Sequence, residues 1–160
     1  MLKSVLQQTK KAGFLIAIVL LAALHFSFKP PVDEQAMLAW SNKCLTESYD
    51  PSGEPKLKKW EIILTPDAFI RLRKTYQNGK QEYYSFQLHN FNDMNYLGTD
   101  ISGTLQLKAT ADDIIVQTYD DPKEDIDSMA TQLNLPFKNI EPERLDSLQT
   151  ALNYFKQKAL

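Results

Sequence analysis

The longest uninterrupted apolar stretch lies near the N-terminus, where residues 12–28 are 17 consecutive positions without a formal charge. A helix of this length spans roughly 26 Å, slightly less than the ~30 Å hydrocarbon core of a bilayer. Lys10, Lys11 and Lys29 flank the stretch, and their long side chains can reach the lipid headgroups. The pattern therefore predicts one transmembrane helix and the lipid bilayer as a binding partner.

A cleaved secretion signal is the alternative, because its apolar core is shorter and is followed by small residues at positions −3 and −1 of the cleavage site. A cut after Ala23 would place Leu21 at position −3, and a cut after Ser27 would place His25 there. Neither site has small residues at both positions. We therefore favour an uncleaved signal anchor over a cleaved signal.

Lysines predict the orientation of this anchor. Lys3, Lys10 and Lys11 precede the apolar stretch, and no acidic residue lies among residues 1–11. The positive-inside rule then places residues 1–11 in the cytoplasm and the remainder of the chain on the other side, which is the periplasm in a bacterium. We expect a single-pass protein with an extracytoplasmic domain.

Residues 29–56 are expected to form a short helix and a linker. Asp33 is a suitable cap for a helix over residues 34–45, and the Pro, Gly, Ser and Asp residues of segment 47–56 are typical of turns. The expected extracytoplasmic β-rich domain with its C-terminal helix then covers residues 57–160.

Alternating apolar residues predict a strand over residues 58–65. Residues 65–89 fit either a helix that begins at Pro66 or a hairpin that turns at residues 77–79. The hairpin is preferred because its register pairs apolar residues with apolar residues and Lys74 with Glu82. The expected pairs are Tyr76 with Lys80, Lys74 with Glu82, Leu72 with Tyr84, Ile70 with Phe86 and Ala68 with Leu88.

The remaining pattern predicts a polar irregular stretch over residues 90–99 and a second hairpin over residues 101–119, with its turn at Asp112 and Asp113. Residues through Pro136 read as irregular, and an amphipathic helix is expected over Pro142–Lys158. The predicted fold is α+β. It comprises an antiparallel β-meander, as a curved sheet or a small lipocalin-like barrel, with a C-terminal helix.

Charge changes this picture by excluding one class of partner. Four of the 18 basic residues precede Pro30, so the remainder of the chain has 14 basic residues against all 20 acidic ones. A surface that contacts nucleic acid needs a concentrated positive face. We therefore expect no nucleic-acid partner.

No catalytic, metal or cofactor motif is present in the sequence, so no enzyme activity and no cofactor are predicted. Cys44 is the only cysteine and is expected to pack as a small apolar residue, with an intermolecular disulfide as the alternative. The acidic residues of segment 120–127 lack the spacing of a Ca²⁺ loop and are expected to form a solvated turn that caps a following helix. His25 and His89 have no second ligand at zinc-binding spacing.

Arg71, Arg73 and Tyr83 are expected on the outer face of the first hairpin, where cations beside an aromatic ring suit protein contact. The resulting hypothesis is a membrane-anchored accessory protein that contacts a protein partner, as a small subunit of a membrane or envelope complex. The alternative is a lipocalin-like carrier of a small apolar ligand.

Overall fold

Antiparallel strands form most of the fold in the computed structural model, which describes residues 33–54 and 56–159. In these residues there are two α-helices, α1 (Glu34–Ser48) and α2 (Pro142–Lys158), and two single-turn 3-10 helices, Pro51–Gly53 and Leu88–Asn90. The same residues form eight strands: β1 (Leu57–Leu64), β2 (Phe69–Tyr76), β3 (Gln81–Gln87), β4 (Phe91–Gly98), β5 (Ser102–Ala109), β6 (Ile114–Tyr119), β7 (Asp127–Ala130) and β8 (Gln132–Lys138). The helices and strands belong to one compact unit, Glu34–Leu160.

The strands form two separate antiparallel sheets. One has the order β1-β2-β3-β6-β7 and the other has the order β4-β5-β8. Inward-facing residues of both sheets and of both helices form one hydrophobic core. The α+β class, the antiparallel sheets and the C-terminal helix are confirmed. The lipocalin-like barrel is wrong, because both described sheets end in edge strands and neither closes on itself.

The hairpin of β2 and β3 has the register that apolar pairing predicted. Ile70 is paired with Phe86, Leu72 with Tyr84 and Lys74 with Glu82. The turn at residues 77–79 ends at Gly79, whose φ of 95° is left-handed and favours glycine. The helical alternative for this segment is excluded.

The second predicted hairpin is wrong, because β5 and β6 lie in different sheets. β5 pairs with β4 and β8, whereas β6 pairs with β3 and β7. The partner of β5 is strand β4, which lies in the stretch 90–99 that was expected to be irregular. A bulge between Phe91 and Asp93 shifts the register of β4 and breaks the alternation of its apolar residues.

Residues 120–136 also differ from the expectation. The acidic segment leads into strand β7, not into a helix, and strand β8 runs through Pro136. β8 is an edge strand, where a proline can be accommodated because its missing N–H need not serve a central ladder. Pro136 still contributes its carbonyl, which accepts a hydrogen bond from the N–H of Asp50 at 2.8 Å.

Helix α1 is part of the compact unit and not a tether that precedes it. Cys44 and Leu45 are fully buried in the core, and Tyr49 directly after the helix is 1% exposed. The side chain of Asn42 accepts a hydrogen bond from the N–H of Leu64 at 2.6 Å and donates one to its C=O at 2.8 Å. The compact unit therefore includes residues 34–54, where sequence patterns suggested a helix and linker outside the domain.

Helix α2 has the predicted bounds and buries the predicted stripe, with Leu148, Leu152 and Phe155 fully buried and Leu145 partly buried. Ion pairs at both ends show that α1 and α2 run antiparallel. Lys158 near the end of α2 pairs with Glu34 at the start of α1. Arg144 near the start of α2 pairs with Glu47 near the end of α1 at 3.0 Å.

No helix of the described part of the chain, residues 33–54 and 56–159, is long and apolar enough to cross a membrane. The predicted anchor, residues 12–28, and the predicted cytoplasmic segment, residues 1–11, lie outside the described residues.

We expect Asn42→Ala to lower the free energy of unfolding by about 1–3 kcal/mol, because it leaves both backbone groups of Leu64 without their partner. Alanine is the best helix former, so loss of helix propensity does not contribute. Urea unfolding followed by circular dichroism measures the change. Lys43→Ala, at the exposed neighbouring position, is the control and should change stability by less than about 0.5 kcal/mol. Equal effects of the two substitutions would contradict this role of Asn42.

Candidate interaction surface

The outer face of the five-stranded sheet carries the three residues that the sequence singled out. Arg73 is the direct cross-strand partner of Tyr83, and Arg71 lies two residues along β2 on the same side. Side chains of a strand alternate between faces, and the intervening Leu72 is buried in the core. Arg71, Arg73 and Tyr83 therefore share the face that points away from the core.

A row of aligned residues crosses this outer face, and we call its three apolar members, Ile63, Ile115 and Met129, the apolar row. Backbone pairing aligns one residue from each strand in the order Ile63, Arg71, Ser85, Ile115 and Met129. Ile63, Ile115 and Met129 are 38%, 37% and 55% exposed, which is unusual for large apolar side chains on the solvent side of a sheet. We call the face around this row, including Arg73 and Tyr83, the outer sheet face.

The corresponding face of the three-stranded sheet is mainly polar, with one exposed apolar residue, Leu97 at the end of β4. Asn95, Gln106 and Asn134 are aligned across β4, β5 and β8, and Lys108 is aligned with its neighbours Asp93 and Gln132. This is the usual composition of a sheet face that meets water. Three exposed apolar residues aligned across a sheet are thus found on the five-stranded sheet, whereas the three-stranded sheet has Leu97 alone on its outward face.

Arg71 lies across the outer sheet face. Its guanidinium lies over the ring of Phe69, 5.0 Å from the ring centre, and 3.8 Å from the carboxylate of Asp67. The pKa of the Asp67 carboxyl is below its ordinary value, chiefly because of a hydrogen bond from Thr65, with Arg71 as a further cause. The Nε of Arg71 is buried without a hydrogen-bond partner in the described residues. Ring contact and charge, rather than a full set of hydrogen bonds, hold this side chain.

A second concentration of polar groups lies beside the β2–β3 turn, at the end of the inward face. Lys74 Nζ is 2.6 Å from Glu54 Oε1, and Lys80 Nζ is 3.1 Å from Glu82 Oε1. The hydroxyl of Tyr76 lies 2.8 Å from Glu54 Oε2 and 3.0 Å from Glu82 Oε2, so its one proton is shared between two carboxylates. We call Glu54, Lys74, Tyr76, Lys80 and Glu82 the hairpin cluster.

Burial and hydrogen bonding shift the pKa values of several groups in and beside the hairpin cluster. Burial alone would raise the pKa of Glu54, but the bonds from Lys74 and Tyr76 outweigh it and the pKa is lowered. Burial, followed by the neighbouring Glu82 charge, raises the pKa of Tyr84 to about 12. Burial and the bond to Glu54 likewise raise the pKa of Tyr76. These tyrosines stay protonated at neutral pH and act as hydrogen-bond donors to the carboxylates.

The hairpin cluster therefore holds the turn of β2 and β3 against the loop after α1. The sequence predicted one of its contacts, the cross-strand pair of Lys74 and Glu82, whose charged atoms are 3.9 Å apart. It missed Glu54, which lies in a segment that reads as a linker. An acidic residue between turn formers gives no pattern from which its partner could be inferred.

Cys44 and the acidic segment, two further sequence candidates, have structural roles. Cys44 is fully buried, as expected for a packed residue, and burial raises the pKa of its thiol. In the acidic segment, the carboxylate of Asp121 accepts a hydrogen bond from the N–H of Lys123 at 3.0 Å. The carboxylate of Asp125 accepts one from the N–H of Asp121 at 3.0 Å, and together these bonds close a turn. His89 is exposed. Within residues 33–54 and 56–159, no three His, Cys, Asp or Glu side chains are placed to hold a metal ion.

Comparison with known proteins gives no relative: no family model, no curated protein and no solved structure matches this chain.

We expect Glu54→Gln to lower the free energy of unfolding by about 1–3 kcal/mol at pH 7, because Lys74 loses the nearer of its two carboxylate partners. A carboxyl whose pKa is depressed in the folded state contributes stability above its unfolded pKa, about 4.3, and loses it as the pH falls through the folded value. The difference between wild type and variant should therefore be constant from pH 8 to about 5 and shrink below about pH 4. Urea unfolding at several pH values measures it.

Glu124→Gln is the matched control, since Glu124 is an exposed carboxyl outside the hairpin cluster. Its effect should stay within about 0.5 kcal/mol at every pH. A pH-independent effect of Glu54→Gln would show that packing, and not the charge of Glu54, is what the substitution removes.

Proposed function

We propose that the protein is a single-pass, membrane-anchored accessory protein whose extracytoplasmic domain binds a protein partner through the outer sheet face, as a small subunit of a membrane or envelope complex. The observation that carries this proposal is the apolar row of Ile63, Ile115 and Met129. It lies on a sheet face that strand alternation would otherwise leave polar.

The composition of the outer sheet face supports protein contact. Arginine, tyrosine and methionine are enriched in protein interfaces relative to the rest of protein surfaces, and lysine and glutamate are depleted there. Arg71, Arg73, Tyr83 and Met129 supply the enriched types in one patch, and the depleted types, Lys59 and Glu61, lie on the edge strand β1. A partially exposed apolar row also gives a partner an area to bury, which is the main favourable term in association.

The membrane half of the proposal rests on residues 12–28 and the lysines that flank them. An anchor restricts the domain to the membrane surface, and that restriction is useful to a subunit of a membrane assembly. A soluble carrier would gain nothing from it. The lipocalin-like carrier also needs a closed barrel around its ligand, and the described sheets have open edges. For these reasons the accessory function is preferred.

The outer sheet face is tested by photocrosslinking in membranes. We expect p-benzoylphenylalanine in place of Tyr83 to form one discrete adduct with a partner protein in the native host. The same residue in place of Asn134, on the polar face of the other sheet, should form none. Met129→Asp should reduce the Tyr83 adduct at least fivefold, since a charge in the apolar row must be desolvated on binding.

Ile101→Asp is the control for Met129→Asp, because Ile101 is a 70% exposed apolar residue in the turn between β4 and β5. It should leave the adduct unchanged. Equal adducts from positions 83 and 134, or equal losses in the two Asp variants, would contradict a partner site on the outer sheet face.

Topology is tested separately by cysteine labelling in spheroplasts of a bacterial host. Native Cys44 is buried and gives the blank. A membrane-impermeant maleimide should label Asp112→Cys, at an exposed turn, in intact spheroplasts, and should label Ser4→Cys only after lysis. The reverse pattern would overturn the extracytoplasmic placement of the domain without bearing on the outer sheet face.

A further inference from the structure

A groove of about 400 Å³ lies between the two antiparallel helices. It is separate from both the outer sheet face and the hairpin cluster. Among the residues that the structure describes, the side chains that line it come from α1 and α2: Met37, Trp40, Asp146, Ser147, Thr150 and Ala151. Its volume is in the range of sites that hold a small ligand or one or two large side chains of a partner.

The groove is apolar in its interior because its polar side chains are used elsewhere. The hydroxyl of Ser147 donates to the carbonyl of Glu143 at 2.8 Å, and that of Thr150 donates to the carbonyl of Asp146 at 2.9 Å. Both hydroxyls are thus occupied within α2. Met37 and Trp40, the largest apolar side chains of the lining, are partly buried at the margin of the core.

The groove has a negative charge at its rim that no neighbouring cation balances in the described part of the chain. Asp146 is exposed, and its carboxylate has no ion-pair partner within 4 Å in the described part of the chain. The nearby cations at the helix ends are already engaged, since Arg144 pairs with Glu47 and Lys158 pairs with Glu34. The groove therefore combines an apolar interior with one uncompensated negative charge at its rim.

We propose that this groove binds a basic amphipathic helix of a protein partner. A large apolar side chain of the helix packs against Met37, Trp40 and Ala151, and a lysine or arginine one turn away pairs with Asp146. An open trough between two helices fits this mode, in which an amphipathic helix places its apolar side chains in a groove. Charge complementarity with Asp146 selects a basic segment over an acidic one. The inference does not depend on the outer sheet face, and the anchor enters only through the lipid medium in which the full chain is tested.

Trp40 gives a direct readout, because it lines the groove and the chain has only one other tryptophan, Trp60. The full chain with Trp60→Phe is placed in nanodiscs of zwitterionic lipid, so that no free detergent competes for the groove. The probes are three synthetic 14-residue peptides with leucines at helical spacing and with lysine, glutamine or glutamate at the remaining positions. Empty nanodiscs serve as the blank.

We expect the lysine peptide to shift Trp40 emission saturably, and the glutamine and glutamate peptides to bind at least tenfold more weakly. Asp146→Lys should weaken binding of the lysine peptide about tenfold or more, as expected when an ion pair becomes a like-charge contact. Glu143→Lys makes the same charge change one turn away, at a residue that does not line the groove, and should weaken binding less than threefold. Circular dichroism verifies that both variants stay folded.

Three results would overturn the proposal. One is the absence of a saturable change with the lysine peptide. A second is equal binding of the glutamine peptide, which would assign the groove to an apolar ligand without charge recognition. The third is self-association of the chain that Asp146→Lys abolishes, which would assign the groove to a second copy of this protein.

Discussion

The seating of α1 on β1, and of the residues directly after α1 on β8, is the constraint on which the rest of the fold depends. β1 and β8 are edge strands of different sheets, and their outward backbone groups need partners. Asn42 bonds both backbone groups of Leu64 in β1. Tyr49, just after the helix, forms an isolated bridge with Phe137 in β8. One segment thus joins the two sheets and buries Cys44 and Leu45 between them, which fixes the faces that point inward and those that point outward.

Local sequence patterns were sufficient to predict the elements whose contacts are with residues close by in the chain. The register of β2 and β3 follows from the pairing of adjacent residues across a short turn, and Gly79 marks where that turn ends. The bounds of α2 follow from Pro142 and from a continuous apolar stripe. For the same reason the common face of Arg71, Arg73 and Tyr83 could be inferred, since it needs only alternation within one hairpin.

Contacts between distant segments could not be inferred in this way. The bulge in β4 hides its alternation, so the sequence pattern shows no neighbour for β5 before β6. The apolar row on the outer sheet face depends on the pairing of β6 with β3 and β7, because Ile115 lies in β6 and Met129 in β7. Glu54 and the groove between the helices are further cases. Each is formed by side chains from parts of the chain whose proximity no local pattern records.

The outer sheet face and the groove differ in how they could discriminate among partners. On the sheet face, the charge of Arg71 is already shared with Asp67 and with the ring of Phe69, so a partner gains mainly from burial of the apolar row. Burial of apolar area is non-directional and gives affinity with limited selectivity. In the groove, Asp146 has no compensating cation in the described part of the chain. It would attract a basic partner and repel an acidic one, so both effects contribute to selectivity. The two surfaces together would let one small domain combine a broad contact with a charge-selective one.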